Sequence, residues 1–422
     1  MLKRFKSLIG DRNPLRMLWH NSKVFLAALR YGFPARKLCV IGITGTDGKT
    51  TTVGMLSHIL LHSGVDVGAA STTHFQVREN CEENETHLTS INPFTLQRFL
   101  RRLVSENCTH AVIEMSSHGL VQGRVSFTWP SVCAITNLTL ESLDYHKTID
   151  QYRNDKGIMF RMLQGKGTKV LNAADEAYDF YNRILSKRTI TYGTEHSDIS
   201  VHSAQTQSRS TKAVMKIEGT TKNITLNIPG AFNLENAMCA IGCATAIGIS
   251  ADESIAALDS FEAIAGRMQR IEEGQDFDVF VDFTVTPAAY ETTLSSLRSI
   301  VGDDGKVLAL FGGIGNRMPE KRAMIGGICS ALADIIVVTE DETYGEDPHA
   351  VLEEVWEGVD QETCEAHKIF DRREAIEFLC KKAQKGDAVI LCGMGPFTTF
   401  NKPEGPIEWD EREVEREVLR AL

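Results

Sequence analysis

Lys49 and Thr50 stand near the end of a run, Gly42-Ile43-Thr44-Gly45-Thr46-Asp47-Gly48-Lys49-Thr50-Thr51-Thr52, whose residue types can hold a polyphosphate. Glycines let the backbone curl so that several N–H groups face one anion, and a helix starting there adds its partial positive charge. In that frame Lys49 reaches the terminal phosphates and the Thr50 hydroxyl meets Mg²⁺. The spacing departs from the strict phosphate-loop pattern, because Gly42 falls one residue too early. Further along stand a carboxylate, Glu114, and an imidazole, His146, which with the Thr50 hydroxyl could surround Mg²⁺ and phosphate oxygens. Taken alone, each reads first as a solvated strand end and a satisfied loop histidine.

The elements needed to position these groups are legible. Apolar Leu38-Cys39-Val40-Ile41 precedes the glycine run and a helical pattern, Val53 to Leu61, follows it, which gives strand, loop and helix. Strand patterns recur at Cys108–Glu114, Val132–Thr136, Lys169–Asn172 and Thr189–Tyr192. Residues 199–228 alternate and carry polar turns, which predicts antiparallel hairpins, and helices are expected over 233–248 and 250–258. A second α/β series follows, with strands at 277–282, 306–311, 335–339 and 388–392 and helices at 287–300 and 373–382. Strands alternating with helices predict mostly parallel sheets, whose ligands bind beyond the carboxyl ends of strands.

A chain of 422 residues can hold two or three domains, and its charge of −11 argues against general nucleic-acid binding. The charge is uneven. Residues 1–37 carry nine Lys/Arg and one acid, a net of +8, which leaves −19 on the rest. The ten cysteines form no C-x-x-C pair, so a reducing, cytoplasmic setting is expected. Leu15–Tyr31 reads as a helix that is apolar over most of its surface, with Arg16, His20, Lys23 and Arg30 in one stripe. Its apolar face is expected to pack on the domain that follows; peripheral contact of residues 1–37 with an anionic membrane is the second expectation.

Past the glycine run come Glu114, then Ser116-Ser117-His118-Gly119-Leu120-Val121-Gln122-Gly123-Arg124-Val125, Ile135-Thr136-Asn137-Leu138, Leu143-Asp144-Tyr145-His146 and Tyr152-Arg153-Asn154-Asp155-Lys156. Gly230-Ala231-Phe232-Asn233 with Asn236-Ala237, Gly266-Arg267-Met268, Val281-Asp282-Phe283 and Trp409-Asp410-Glu411-Arg412-Glu413 follow. In this order and spacing, from about Lys37 to the C-terminus, the chain resembles the Mur ligase family, in particular its UDP-N-acetylmuramoyl-tripeptide synthetase type. The resemblance implies a basic N-terminal helical segment (1–37), a central ATP-binding domain (38–265) with a mostly parallel sheet, and a Rossmann-like C-terminal domain (266–422). It implies an ATP-dependent, ADP-forming ligase that joins an amino acid to a muramoyl-peptide carboxylate through an acyl phosphate in peptidoglycan precursor synthesis. The enzyme would be a cytoplasmic monomer acting on small molecules.

By the same resemblance Lys49, Lys156 and His146 are catalytic. Gly45, Thr46, Asp47, Gly48, Lys49, Thr50, Thr51, Asn233, Asn236, Arg267 and Asp282 bind ATP. Thr50, Glu114, His146 and Lys156 hold one or two Mg²⁺ ions, Lys156 as its carbamate. Thr89, Ser90, Ser116, Gln122 and Arg124 hold the acceptor.

The chain also departs from the family. Only about 37 residues precede the central domain, where family members of this type carry a uridine-binding domain. The family's Asp-Tyr-Ala-His-Thr-Pro run reads Asp282-Phe283-Thr284-Val285-Thr286-Pro287 here. Its amino-acid-selecting Asp-Asn-Pro-Arg reads Asp341-Glu342-Thr343-Tyr344, and its Gly-Lys-Gly-His-Glu reads Gly393-Met394-Gly395-Pro396-Phe397. Two other readings therefore stay open: a ligase of the same superfamily with a folate or lipid-linked peptide acceptor, and an ATP-binding partner protein that has lost ligation.

Overall fold

The computed structural model describes residues 12–422; residues 1–11 of the basic segment lie outside the described residues. Eleven strands form the first sheet: β1 (Cys39–Thr44), β2 (Val67–Ala70), β3 (His74–Val77), β4 (Asn80–Glu83), β5 (His110–Glu114), β6 (Val132–Ile135), β7 (Thr168–Asn172), β8 (Arg188–Tyr192), β9 (Ile199–Thr206), β10 (Thr211–Ile217) and β11 (Thr220–Leu226). Their spatial order is β11-β10-β9-β8-β7-β6-β1-β5-β2-β3-β4. The stretch from β9 through β8 to β2 is parallel, and antiparallel hairpins extend both edges.

A second sheet holds β12 (Gln269–Ile271), β13 (Asp278–Asp282), β14 (Val307–Phe311), β15 (Ile335–Val338), β16 (Glu365–Lys368) and β17 (Ala388–Cys392). Its order is β12-β13-β17-β14-β15-β16, parallel except at β12. The central strands of each sheet are buried on both faces, with two apolar clusters per sheet. This accounts for the near-continuous apolar runs such as Val307–Phe311.

Register places the chemistry. β1 lies between β5 and β6, with Ile43 opposite Glu114 and Thr44 opposite Ile135. The glycine run, Glu114 and Thr136-Asn137 therefore leave neighbouring strands at the same edge, where the chain crosses to opposite sides. The helix Lys49–His62 begins after Gly48, whose φ of 77° an L side chain rarely adopts.

In the second sheet, Arg372 and Glu411 form a pair exposed by only 1% and 0%, at 2.5 Å. Arg372 also donates to the Glu340 and Cys392 carbonyls, at 3.1 and 2.7 Å. The pair ties the C-terminal helix Glu411–Ala421 to the end of β17. Arg372→Ala leaves a buried carboxylate without its countercharge, and is expected to cost about 3–5 kcal/mol of stability in a denaturant melt.

The helix over 15–31 forms as expected, from Pro14 to Tyr31, but its apolar face is not packed. Val24, Ala27 and Ala28 are buried, whereas Leu15, Leu18, Trp19, Phe25, Leu26 and Leu29 are exposed. None of the described helices is long and apolar enough to cross a membrane.

Candidate active site

A cleft of about 460 Å³ opens where the carboxyl ends of the two sheets face each other. The glycine loop forms its floor. A Cβ at Gly45 would stand 1.8 Å from Thr136 Oγ1, and one at Gly48 would stand 2.1 Å from Asn236 Oδ1, so only glycine lets the loop lie this close. The Asn137 side chain accepts from the Thr46 and Asp47 N–H groups at 3.2 and 2.9 Å, and the Thr136 hydroxyl donates to the Asp47 carbonyl at 2.6 Å. Lys49 Nζ donates to the Thr46 carbonyl at 2.6 Å.

The Glu114 carboxylate is buried beside the loop, and accepts from the Thr50 hydroxyl at 3.1 Å and from Thr72 N–H at 2.8 Å. Lys156 Nζ is buried, donates to the Gly45 carbonyl at 2.5 Å and lies 4.4 Å from the centre of the Tyr152 ring. Burial, reinforced by the Lys49 charge, pushes its ammonium well below the ordinary lysine range.

The second sheet supplies the facing wall. Arg267 reaches Thr50 Oγ1 at 3.4 Å and the Phe283 carbonyl at 3.3 Å, while its buried Nε has no hydrogen-bond partner. Asp282 accepts from Met268 N–H at 2.7 Å. The Thr286 hydroxyl donates to Asp47 at 3.2 Å, and Lys321 pairs with Glu141 at 2.7 Å, so the two walls are linked directly.

All eleven residues expected at ATP line this cleft, as do Glu114, Lys156, Thr89, Ser90, Ser116 and Arg124. Gln122 sits behind the wall and accepts from Arg124 Nε at 2.8 Å, while Arg124 Nη1 donates to the Ser90 carbonyl at 2.7 Å. His146 is not on the cleft. Its ring is fully buried, with Nδ1 2.5 Å from Asp155 and Nε2 2.9 Å from the Ser117 hydroxyl. Both ring nitrogens are hydrogen-bonded within the protein, and the ring lies behind the cleft wall.

Ser117, His118 and Asn137, which the sequence offered only within longer motifs and without a chemical role, also line the cleft, as do Glu141 and Ser142, which no motif marked. The Ser-Ser-His-Gly turn was the available signal for the first two. His118 is driven down to about 3 by burial and by the charges around it, so it is a neutral imidazole at neutral pH.

The donor set suits Mg²⁺ held with a nucleotide. Among the described residues no three His, Cys, Asp or Glu side chains converge on one point. A carboxylate and a threonine hydroxyl beside a phosphate cradle suit an ion that keeps its waters and shares phosphate oxygens. The orphaned Arg267 Nε in the opposite wall is a buried donor available to an anion.

Residues 43–244 match the Mur ligase middle domain, and residues 266–395 the glutamate ligase domain of Mur ligases. The UDP-N-acetylmuramoyl-L-alanyl-D-glutamate–2,6-diaminopimelate ligase of Geobacillus kaustophilus is 33% identical over 406 residues, 94% of this chain and 81% of its own. The chain belongs to the Mur ligase family. This is a family of ATP-dependent, ADP-forming ligases, and the chain is an enzyme of that kind. The UDP-N-acetylmuramyl-tripeptide synthetase of a Roseiflexus species is likewise 33% identical over 422 residues, with the same coverage. Among solved structures, a diaminopimelate ligase of this type superposes with a TM-score of 0.64 at 25% identity, covering 91% of this chain and 78% of its own. A MurF ligase from Thermotoga maritima, solved in complex with ADP, shares the fold at a TM-score of 0.68 and 17% identity, covering 95% and 82%.

Proposed function

We propose that this Mur ligase joins an amino acid to the carboxylate of a muramoyl peptide through an acyl phosphate, with residues 1–37, 38–265 and 266–422 as its three parts. The reading is carried by one arrangement: the glycine loop, the Ser90–Ser116–Arg124 wall and Arg267 with Asp282 all line a single cleft. ATP lies with its phosphates on the Gly45–Thr51 loop and its base against Asn233 and Asn236.

A carboxylate oxygen of the acceptor, held by Arg124 and Ser116, attacks the γ-phosphorus, and the bond to the β–γ bridging oxygen breaks to release ADP. Lys49 and Arg267 face the charge that spreads over the transferring group. The amine then attacks the acyl carbon, inorganic phosphate leaves, and the amine proton passes to solvent or phosphate. Thr50, Glu114 and Lys156 as its carbamate would hold Mg²⁺, which would neutralise charge on the phosphate oxygens. The contacts between the walls, Thr286 to Asp47 and Lys321 to Glu141, keep water from the acyl phosphate. The enzyme acts as a cytoplasmic monomer.

For the amino acid, Tyr344 replaces the family's arginine, and its hydroxyl donates to Glu342. Arg372 is consumed by Glu411. Arg317, exposed on the cleft wall, is placed to meet the amino acid's carboxylate. Phosphate release tests the reading, with ATP, Mg²⁺ and UDP- or lipid-linked muramoyl peptides crossed with lysine, meso-diaminopimelate and other amino acids. Acceptor-dependent release is expected, without the strong preference for diaminopimelate over lysine that an arginine at position 344 would give. Arg317→Ala is expected to raise KM for the amino acid about tenfold or more, as for loss of a hydrogen bond to a charged group. ATP turnover that no muramoyl peptide stimulates would overturn the reading.

A further inference from the structure

The helix Pro14–Tyr31 buries its small side chains and exposes its large ones. It packs against the helix Pro93–Ser105 and buries only Val24, Ala27 and Ala28. Leu15, Leu18 and Trp19 are 72%, 63% and 68% exposed, and Phe25, Leu26 and Leu29 are 46%, 55% and 55% exposed. At 3.6 residues per turn these six fall in one stripe about 120° wide. Arg16, Lys23 and Arg30 follow along one border of that stripe. A helix that served only to cover its own domain would turn the leucines inward.

We propose that this face docks in the interfacial layer of an anionic lipid bilayer. The apolar stripe enters the acyl boundary, Trp19 sits at headgroup depth, and Arg16, Lys23 and Arg30 meet the lipid phosphates. Charge selects this occupant. Residues 1–37 hold +8 and the rest of the chain −19, so an anionic surface attracts one end of the molecule and repels the remainder. A second copy seated on the same stripe would instead bring two strongly basic segments together. The helix has 18 residues and carries charge along its length, so it lies in the surface and does not cross it.

Docking also places the cleft. Arg12, just before the helix, pairs with Asp155, the neighbour of Lys156. Asn21 on the helix abuts Gly123, where a Cβ would meet its Oδ1 at 3.1 Å. The acceptor end of the cleft therefore adjoins the docked face. Resting on the reading of that wall as the acceptor site, this arrangement suits an acceptor whose carrier lies in the bilayer.

Co-sedimentation of the full chain with vesicles tests the proposal, using phosphatidylcholine alone against an equal mixture with phosphatidylglycerol. Binding is expected to the mixed vesicles only, to fall with added salt, and to shift tryptophan fluorescence to the blue. Lys23→Gln is expected to lower partitioning about fivefold, the factor equivalent to ~1 kcal/mol per basic residue. The double variant Trp19→Glu, Leu26→Glu should abolish binding while ATP affinity by calorimetry stays unchanged. Equal binding to both vesicle types, or full binding by the double variant, overturns the proposal. So does a lipid-free dimer that Leu26→Glu dissociates, which would assign the face to a second copy. Failure of every muramoyl peptide as acceptor would sink the proposed ligation without touching the vesicle result.

Discussion

Lys49→Ala is expected to lower ATP turnover by about 10²–10³-fold, the usual cost of removing one preorganised charge from a transferring group. Its melting temperature should be unchanged. The reason for the split lies in what Lys49 touches. Among the described residues its hydrogen bond to protein runs to the Thr46 carbonyl, three residues back on a loop held independently by Asn137 and Thr136. Little folding energy rides on that contact, whereas in the proposed reaction the Nζ meets the charge that gathers on the γ-phosphate. The loss should fall in kcat more than in KM for ATP, because the β-phosphate keeps its backbone N–H groups. Single-turnover ADP formation at saturating ATP decides the point. Turnover at the wild-type rate would remove the phosphate loop from the mechanism.

The second large effect is expected at Lys156. Desolvation, with the Lys49 charge adding to the effect, pushes the Lys156 ammonium well below the ordinary lysine range, which makes its amine a readier nucleophile for dissolved CO₂ than an exposed lysine. Its nitrogen attacks the carbon, loses a proton and becomes a carbamate, which puts an anion able to hold Mg²⁺ beside Gly45. Activity should therefore fall in degassed, CO₂-free buffer and return with bicarbonate. Lys156→Ala should lose about 10²-fold or more, the scale of one electrostatic contact in such a site, and short-chain carboxylic acids should restore part of it. A carbamate resonance from ¹³C-bicarbonate, absent in the variant, reads the modification directly.

The linkage has a definite sign. The folded pKa lies below the unfolded one, so between the two the unfolded chain binds more protons and stability rises with pH. Lys156→Ala should flatten that slope. Wild-type activity that is indifferent to CO₂, with no resonance, would count decisively against the carbamate.

The residue order alone carried a great deal. Strand, glycine loop and helix at 38–61 were legible because the apolar run, the glycines and the helical spacing are all local. Parallel strands buried on both faces, such as Val307–Phe311 and Ala388–Cys392, announce themselves as unbroken apolar runs. The hairpin of β3 and β4 did not, because Asn80–Glu83 is an exposed, polar edge strand whose pairing rests on its partner rather than on its own pattern. The helices 93–105, 149–161, 320–332 and 411–421 were likewise not picked out. The C-terminal one is mostly charged, and its stability comes from the face it lays on the second sheet.

The site divides the same way. Lys49, Thr50, Glu114 and Lys156 could be named from the sequence and its family resemblance. That Glu114 touches Thr50 depends on β5 pairing beside β1, a contact between residues 64 apart. His146 shows the limit most clearly. Its type suits a metal or a proton, but only the packing of Asp155 and Ser117 around its two nitrogens removes it from the cleft. The reverse happened at the N-terminus, where sequence periodicity found the helix over 15–31 and its apolar face. Which side of a helix meets protein is set by the neighbouring element's shape. Here that neighbour, Pro93–Ser105, accepts alanines and leaves the leucines outside.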